Sequence, residues 1–248
     1  MRFAKWAVGA CALFLFACGG GGGGGGGGGS VPPLADLAGN WSGQLEDGSR
    51  LMHTYVLTID STGNITQFKE DGSVIASLTA TVSQLGSDVF TFTRSDATKG
   101  DLLTDDQGNH MAIVDTAGSF GVLQKNGGSL TGFAAADITN PGSTEWLGFS
   151  VFLDNNLKVA VLSGAITQVV NGATLLFSGA DALGGFVGML PTVDTTFGRW
   201  EGTFDQSPFP SGTLHAFLSI DKNFAGTWKC PTGFANFVTD CAFAVLAR

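Results

Sequence analysis

Charge is scarce in this sequence. Asp, Glu, Lys and Arg make up 13% of its 248 residues, and only 12 of them are basic. Those 12 are scattered, so no basic stripe exists to follow a phosphate backbone, which excludes a nucleic-acid partner. Tyrosine occurs once, beside 20 Phe and five Trp. Recognition surfaces for proteins and sugars favour amphipathic Tyr and Trp. A Phe-rich body instead predicts packed cores or an apolar cavity. Histidine occurs three times, and no G-x-S-x-G elbow accompanies His53, His110 or His215. The four cysteines form no C-x-x-C and have no histidine at ligand spacing, which excludes a structural zinc site. No cofactor or metal is expected, and no catalytic residue is assigned. Helical periodicity is absent from Ala38 onward, and no apolar run reaches the roughly 20 residues that a helical membrane span needs.

What is present starts at the N-terminus. Arg2 and Lys5 precede an apolar run, Trp6–Ala17, of the length of a signal peptide's hydrophobic region. It ends in "LFAC" (Leu15–Cys18), a branched apolar residue, two permissive positions and a cysteine. This resembles the lipobox of bacterial lipoproteins. "VGAC" ending at Cys11 matches the pattern too, but cleavage there leaves too short an apolar run after Lys5. The resemblance implies a signal peptide over 1–17, removed after Ala17, and Cys18 carrying several acyl chains. More than one chain anchors stably. Gly19 stands where an Asp would resemble an inner-membrane retention signal, so the expected address is the bacterial outer membrane, facing either periplasm or exterior. Residues 18–33 form the lipidated cysteine and its tether. Gly19 to Ser30 is expected to act as a leash with a root-mean-square span of roughly 19 Å, about 40 Å when stretched. Losing Arg2 and Lys5 with the leader takes the net charge from −9 to −11.

The remaining body reads as strands. Short alternating runs such as "HTYVLTI" (His53–Ile59), "VFTFTR" (Val89–Arg94), "HMAIVD" (His110–Asp115) and "CAFAVLA" (Cys241–Ala247) are separated by Gly- and Asn-bearing turns. The fold class is all-β, an antiparallel barrel or barrel-like sandwich. Glycines within strands favour barrel-like closure. "LADLAGNWSG" (Leu34–Gly43) is echoed by "AAADITNPGSTEWLG" (Ala134–Gly148), and Val82–Gly100 by Ile166–Gly185. Two similar packed lobes, 34–128 and 129–248, follow, with a single larger barrel as the alternative. A second echo joins "GNWSGQLEDGS" (Gly39–Ser49) to "GRWEGTFDQSP" (Gly198–Pro208), and "GTW" recurs at Gly226–Trp228. Gly-x-Trp at a first strand resembles the lipocalin or calycin superfamily, which implies tryptophans closing the floors of small barrels.

Cys230 and Cys241 form an even pair in an exported chain, which points to a disulfide closing the C-terminal segment. Trp41, Trp200 and Trp228 are candidate ligand or partner contacts, with core packing as the competing role. Phe209, in the Pro-bearing loop "QSPFPSG" (Gln206–Gly212), is a fourth. Asp101, Asp105 and Asp106 cluster in "GDLLTDDQGNH", where the spacing suits a hairpin turn better than a Ca²⁺ loop or a glycosidase pair. The expected function is therefore non-catalytic: a lipid-anchored envelope β protein that binds an apolar small molecule or an envelope protein. A structural or adhesive surface module is the alternative. An envelope hydrolase is the remote third, and it would require a concave cluster joining one of those aspartates to a histidine.

Overall fold

Turn residues between the alternating runs fold the chain into successive antiparallel hairpins. Gly63 (φ 85°) and Gly118 (φ 87°), for example, take left-handed conformations that a side chain would strain. The computed structural model describes residues 34–75, 78–85, 88–105, 107–139, 145–157, 159–171, 175–181, 183–207 and 209–248, with side chains described for all of these but 34, 35, 160–165, 209 and 210. Cys18 and the polyglycine segment lie outside the described residues, as does Asp106.

The first nine strands are β1 (Gly39–Glu46), β2 (Met52–Ile59), β3 (Asn64–Glu70), β4 (Ser73–Val74), β5 (Ala80–Gln84), β6 (Val89–Arg94), β7 (Lys99–Thr104), β8 (His110–Asp115) and β9 (Phe120–Lys125). β9 returns to β1, with Trp41 opposite Lys125 and Glu46 opposite Phe120, which closes an eight-strand barrel. The two-residue β4 hangs on the end of β3. A second closed barrel follows from β10 (Trp146–Leu153), β11 (Val159–Asn171), β12 (Leu176–Asp181), β13 (Gly184–Asp194), β14 (Arg199–Gln206), β15 (Phe209–Leu218), β16 (Phe224–Pro231) and β17 (Ala242–Ala247). The fold is thus two barrels and not one larger one. Helix is confined, among the described residues, to two 3₁₀ turns and the single-turn α1 (Phe237–Asp240).

Both 3₁₀ turns do the same job. Leu34–Leu37 precedes the first barrel, and Trp41 on β1 donates Nε1–H to the Leu37 carbonyl (2.8 Å). Ala135–Ile138 precedes the second, and Trp146 on β10 donates to the Ile138 carbonyl (3.0 Å). Leu37 and Ile138 are buried in their respective cores. Each barrel is therefore plugged at one end by a turn hung from the tryptophan of its first strand. Of the sequence echoes, Leu34–Gly43 with Ala134–Gly148 is the one that corresponds to position in the barrels. The others pair strands at different places in the two rings.

Alternation gives each barrel an apolar interior. Trp41, Phe68, Phe90 and Phe92 fill the first, and Trp146, Phe177, Phe186 and Trp200 the second. A third core lies between the barrels, where outward residues of both meet: Val89, Leu103, Val114, Phe120 and Val122 against Val151, Phe217, Phe224, Trp228, Phe243 and Val245. Each such side chain, fully buried, is worth about 1.5–3 kcal/mol relative to exposure, so the two lobes are welded rather than tethered. Cys230 and Cys241 form the disulfide, tying β16 to the start of β17 around α1.

Candidate functional site

Three features build the junction between the barrels. The first is a close approach. A Cβ on Gly226 of β16 would sit 2.6 Å from Val122 Cγ2 and 3.2 Å from Ala112 Cβ. The missing side chain is what lets β16 settle on β8 and β9. Phe120 then packs against Phe217 (5.4 Å between ring centres) and Phe243 (5.9 Å).

The second is a buried ion cluster. Glu46 ends β1 with no exposed surface. Its Oε2 accepts from His215 Nδ1 (2.8 Å) and Arg199 Nη1 (3.1 Å) of the second barrel, and its Oε1 from Arg50 Nη1 (3.1 Å). Arg50 in turn lies over Trp228 (4.7 Å) and Phe237 (4.5 Å). Burial opposes ionisation of Glu46. The His215 hydrogen bond and the charges of His215, Arg50 and Arg199 outweigh it, and the pKa falls below its ordinary value.

The third is a histidine bridge at the other end of β9, where His110 stands opposite Gln124. His110 Nδ1 pairs with Asp105 Oδ2 (2.7 Å), and Nε2 with Asp221 Oδ2 (3.0 Å) of the second barrel. The ring stacks on Phe224, 5.3 Å away and 10° from parallel. Burial disfavours the imidazolium, but the hydrogen bond to Asp105 and the charges of Asp221 and Asp105 raise the pKa. With a carboxylate oxygen within hydrogen-bond distance of each ring nitrogen, His110 has neither nitrogen open to a substrate as a general base.

Beside this bridge opens a cleft of about 550 Å³ between Asp105 on the first barrel and Glu145, Leu147, Phe149, Phe224 and Arg248 on the second. Its floor is apolar. Leu147 is 55% exposed there, while Phe149 is half-buried. The cleft joins Asp105 to a histidine, as a hydrolase would require, but both nitrogens of that histidine are occupied.

Trp41 and Trp200 are spent inside the barrels and Trp228 is buried in the seam, away from either barrel's floor. Phe209 opens β15, and its side chain lies outside the described residues. Asp101 does not join Asp105. It sits on β7 with the parity of Leu103 and faces the seam, fully buried. Neither carboxyl oxygen has a partner of hydrogen-bond geometry among the described residues, and the neighbouring Thr91 hydroxyl, which opposes the rise in pKa, donates to the Gly100 carbonyl (3.2 Å). Burial, with the charge of Asp154 added, pushes its pKa up to about 7. Glu46, Arg199 and Arg50 carried no signal in the sequence, since their partners lie in another lobe.

The chain matches no family model. No curated protein matches it either. Solved structures similar to it include a double alanine mutant of the vaccine antigen transferrin binding protein B (TbpB) from Haemophilus parasuis, at 12% identity and a TM-score of 0.28, covering 78% of this chain and 64% of that one. Intact Ap-TbpB, with its N and C lobes, is similar at 10% identity and a TM-score of 0.31, covering 84% of this chain and 76% of that one. A tryptophan-to-alanine mutant of the Haemophilus parasuis protein follows at 11% and 0.26, with 88% and 76% covered. The chain thus spans 64% of the length of the first of these structures. The functional reading rests on this chain's own residues.

Proposed function

We propose that this protein is a non-enzymatic binding protein of the bacterial outer membrane, anchored through lipid on Cys18, which engages a basic protein partner in the cleft between its barrels. The observation that carries this reading is a contrast of surfaces. The barrel interiors are filled by their own tryptophans and phenylalanines, whereas the cleft leaves an apolar floor uncovered beside Asp105, Glu145 and Arg248. An apolar floor with a charged rim is the ordinary anatomy of a protein interface. The excess of 21 acidic over 12 basic residues favours a partner of opposite charge. The occupied nitrogens of His110 support the non-enzymatic part.

A photo-crosslinking amino acid at position 147, in intact cells, tests this. The reading expects a discrete protein adduct from position 147, none from the exposed control position 51, and loss of the adduct when Glu145 is made lysine. Equal or absent adducts from the two positions would sink it.

A second reading, a structural or adhesive module, draws on the outer face of β12 and β13. There Leu176 stands opposite Met189 and both are exposed, as is Val187 on the same face. A crosslinker at position 176 distinguishes the two.

A further inference from the structure

The second barrel has a polar end. Along β12, β14 and β16, the inward positions that begin with Phe177, Trp200 and Ala225 end at Asp181, Gln206 and Lys229. These three form a closed network. Gln206 Nε2 donates to Asp181 Oδ1 (2.8 Å), as does the Leu183 backbone N–H (2.8 Å). Lys229 Nζ donates to Gln206 Oε1 (2.5 Å) and reaches Asp181 Oδ2 only at 3.4 Å. Asp181 is 1% exposed and Lys229 18%.

Lys229 is held oddly for a structural lysine. Its ammonium has three protons and two acceptors among the described residues, one of them a neutral amide and the other long. Burial lowers its pKa in spite of Asp181, so the charge is incompletely compensated. The aromatic faces of Phe186 (5.3 Å) and Phe204 (5.7 Å) flank it. Two voids meet at this residue. The inner one, about 30 Å³, has room for a water molecule. The outer one, about 150 Å³, is walled by Phe152, Leu183, Phe204, Pro231 and Ala242, with Gln206, Thr239 and Asp240 on its polar side; Asp240 Oδ2 accepts from the Ala235 and Asn236 backbone N–H groups (both 2.9 Å). A donor-only cation thus stands at the foot of a chamber whose walls are mostly apolar, the arrangement that suits an anionic head on a short aliphatic tail.

We propose that this chamber binds a short-chain aliphatic carboxylate, its head on the Lys229 ammonium and its tail against Phe152, Leu183 and Phe204. The carboxylate takes the ammonium proton that has no acceptor among the described residues. The tail replaces water on the apolar walls. Length is limited by the chamber's volume, so a medium aliphatic acid fits and a long-chain lipid does not. The site is independent of the cleft between the barrels.

Titration calorimetry of the full chain with octanoate tests this, with octanol and octyl phosphate as parallel probes. One molar equivalent of octanoate should bind. Lys229→Met should weaken it tenfold or more, the scale of a charge-assisted hydrogen bond, while leaving octanol unchanged. Leu183→Trp, which fills the chamber while keeping the backbone N–H that bonds Asp181, should abolish octanoate binding at an unchanged melting temperature, and it decides the matter if the Lys229 variant does not fold. Absence of octanoate binding at millimolar concentration, equal affinity in both variants and wild type, or binding of octyl phosphate alone would each overturn the proposal.

Discussion

His215 Nδ1 lies 2.8 Å from Glu46 Oε2, so the last residue of the first barrel's first strand is bonded to the sixth strand of the second. The pair is buried, and Arg50 and Arg199 complete it. Breaking one partner of such a cluster leaves charge uncompensated in an apolar seam. Glu46→Gln should destabilise the protein by about 3 kcal/mol. The folded pKa of Glu46 is depressed, so its contribution is present above the ordinary value and is lost as pH falls through the folded one. Urea unfolding between pH 3 and 7 should show a falling midpoint for the wild type and a shallower fall for the variant. Parallel curves would refute this.

Asp101 and His110 set the opposite limb. Both have raised pKa values, so each contributes most below its ordinary value and loses that contribution as pH rises. For Asp101 the loss runs from about pH 4 to about 7, and for His110 it lies above 6.5. Asp154 is the charged group that faces Asp101 from the second barrel, while Asp105 and Asp221 flank His110. Asp101→Asn should stabilise the protein at pH 8 by about 2–4 kcal/mol and leave it unchanged at pH 4. Melting temperatures of both proteins across this range provide the check, and a pH-independent difference would contradict the assignment.

Gly226 admits Val122 at a distance no Cβ would allow. Gly226→Val should therefore wedge the seam and cost about 1–3 kcal/mol. Val122→Ala, introduced beside it, should recover part of that loss. A double-mutant cycle in urea measures the coupling, and additive effects would show that the two residues do not meet.

Cys18→Ser should abolish incorporation of labelled palmitate and move the protein from the membrane to the soluble fraction. Retention of label by the serine variant would place the anchor elsewhere, with Cys11 the next cysteine to change.

Legibility along the chain tracks how many faces of a strand are buried. β2 and β6 each have an exposed or half-exposed face, and alternation marked them almost to the residue. β7 shows no alternation in the sequence. Five of its six residues are buried because Leu102 faces the barrel interior while Asp101 and Leu103 face the seam. Burial on both faces erases the period of two. β16 suffers the same loss, and there "GTW" suggested a barrel floor although its tryptophan packs between the barrels. The Glu46 cluster and Lys229 left no mark at all, since each depends on strands from distant parts of the chain.

By itself the sequence determined the local things: antiparallel strands from alternation and turn residues, two lobes from the echo of Leu34–Gly43 in Ala134–Gly148, and the clasp between Cys230 and Cys241. All of these depend on short-range covalent geometry and on periodicity, which one chain displays openly. Only the tertiary structure decided which outward faces became a third core and which ions met across it. Glu46 and His215 are 169 positions apart, and no rule of spacing reaches across two closed barrels. Their meeting follows from the orientation in which the barrels dock, with Gly226 against Val122.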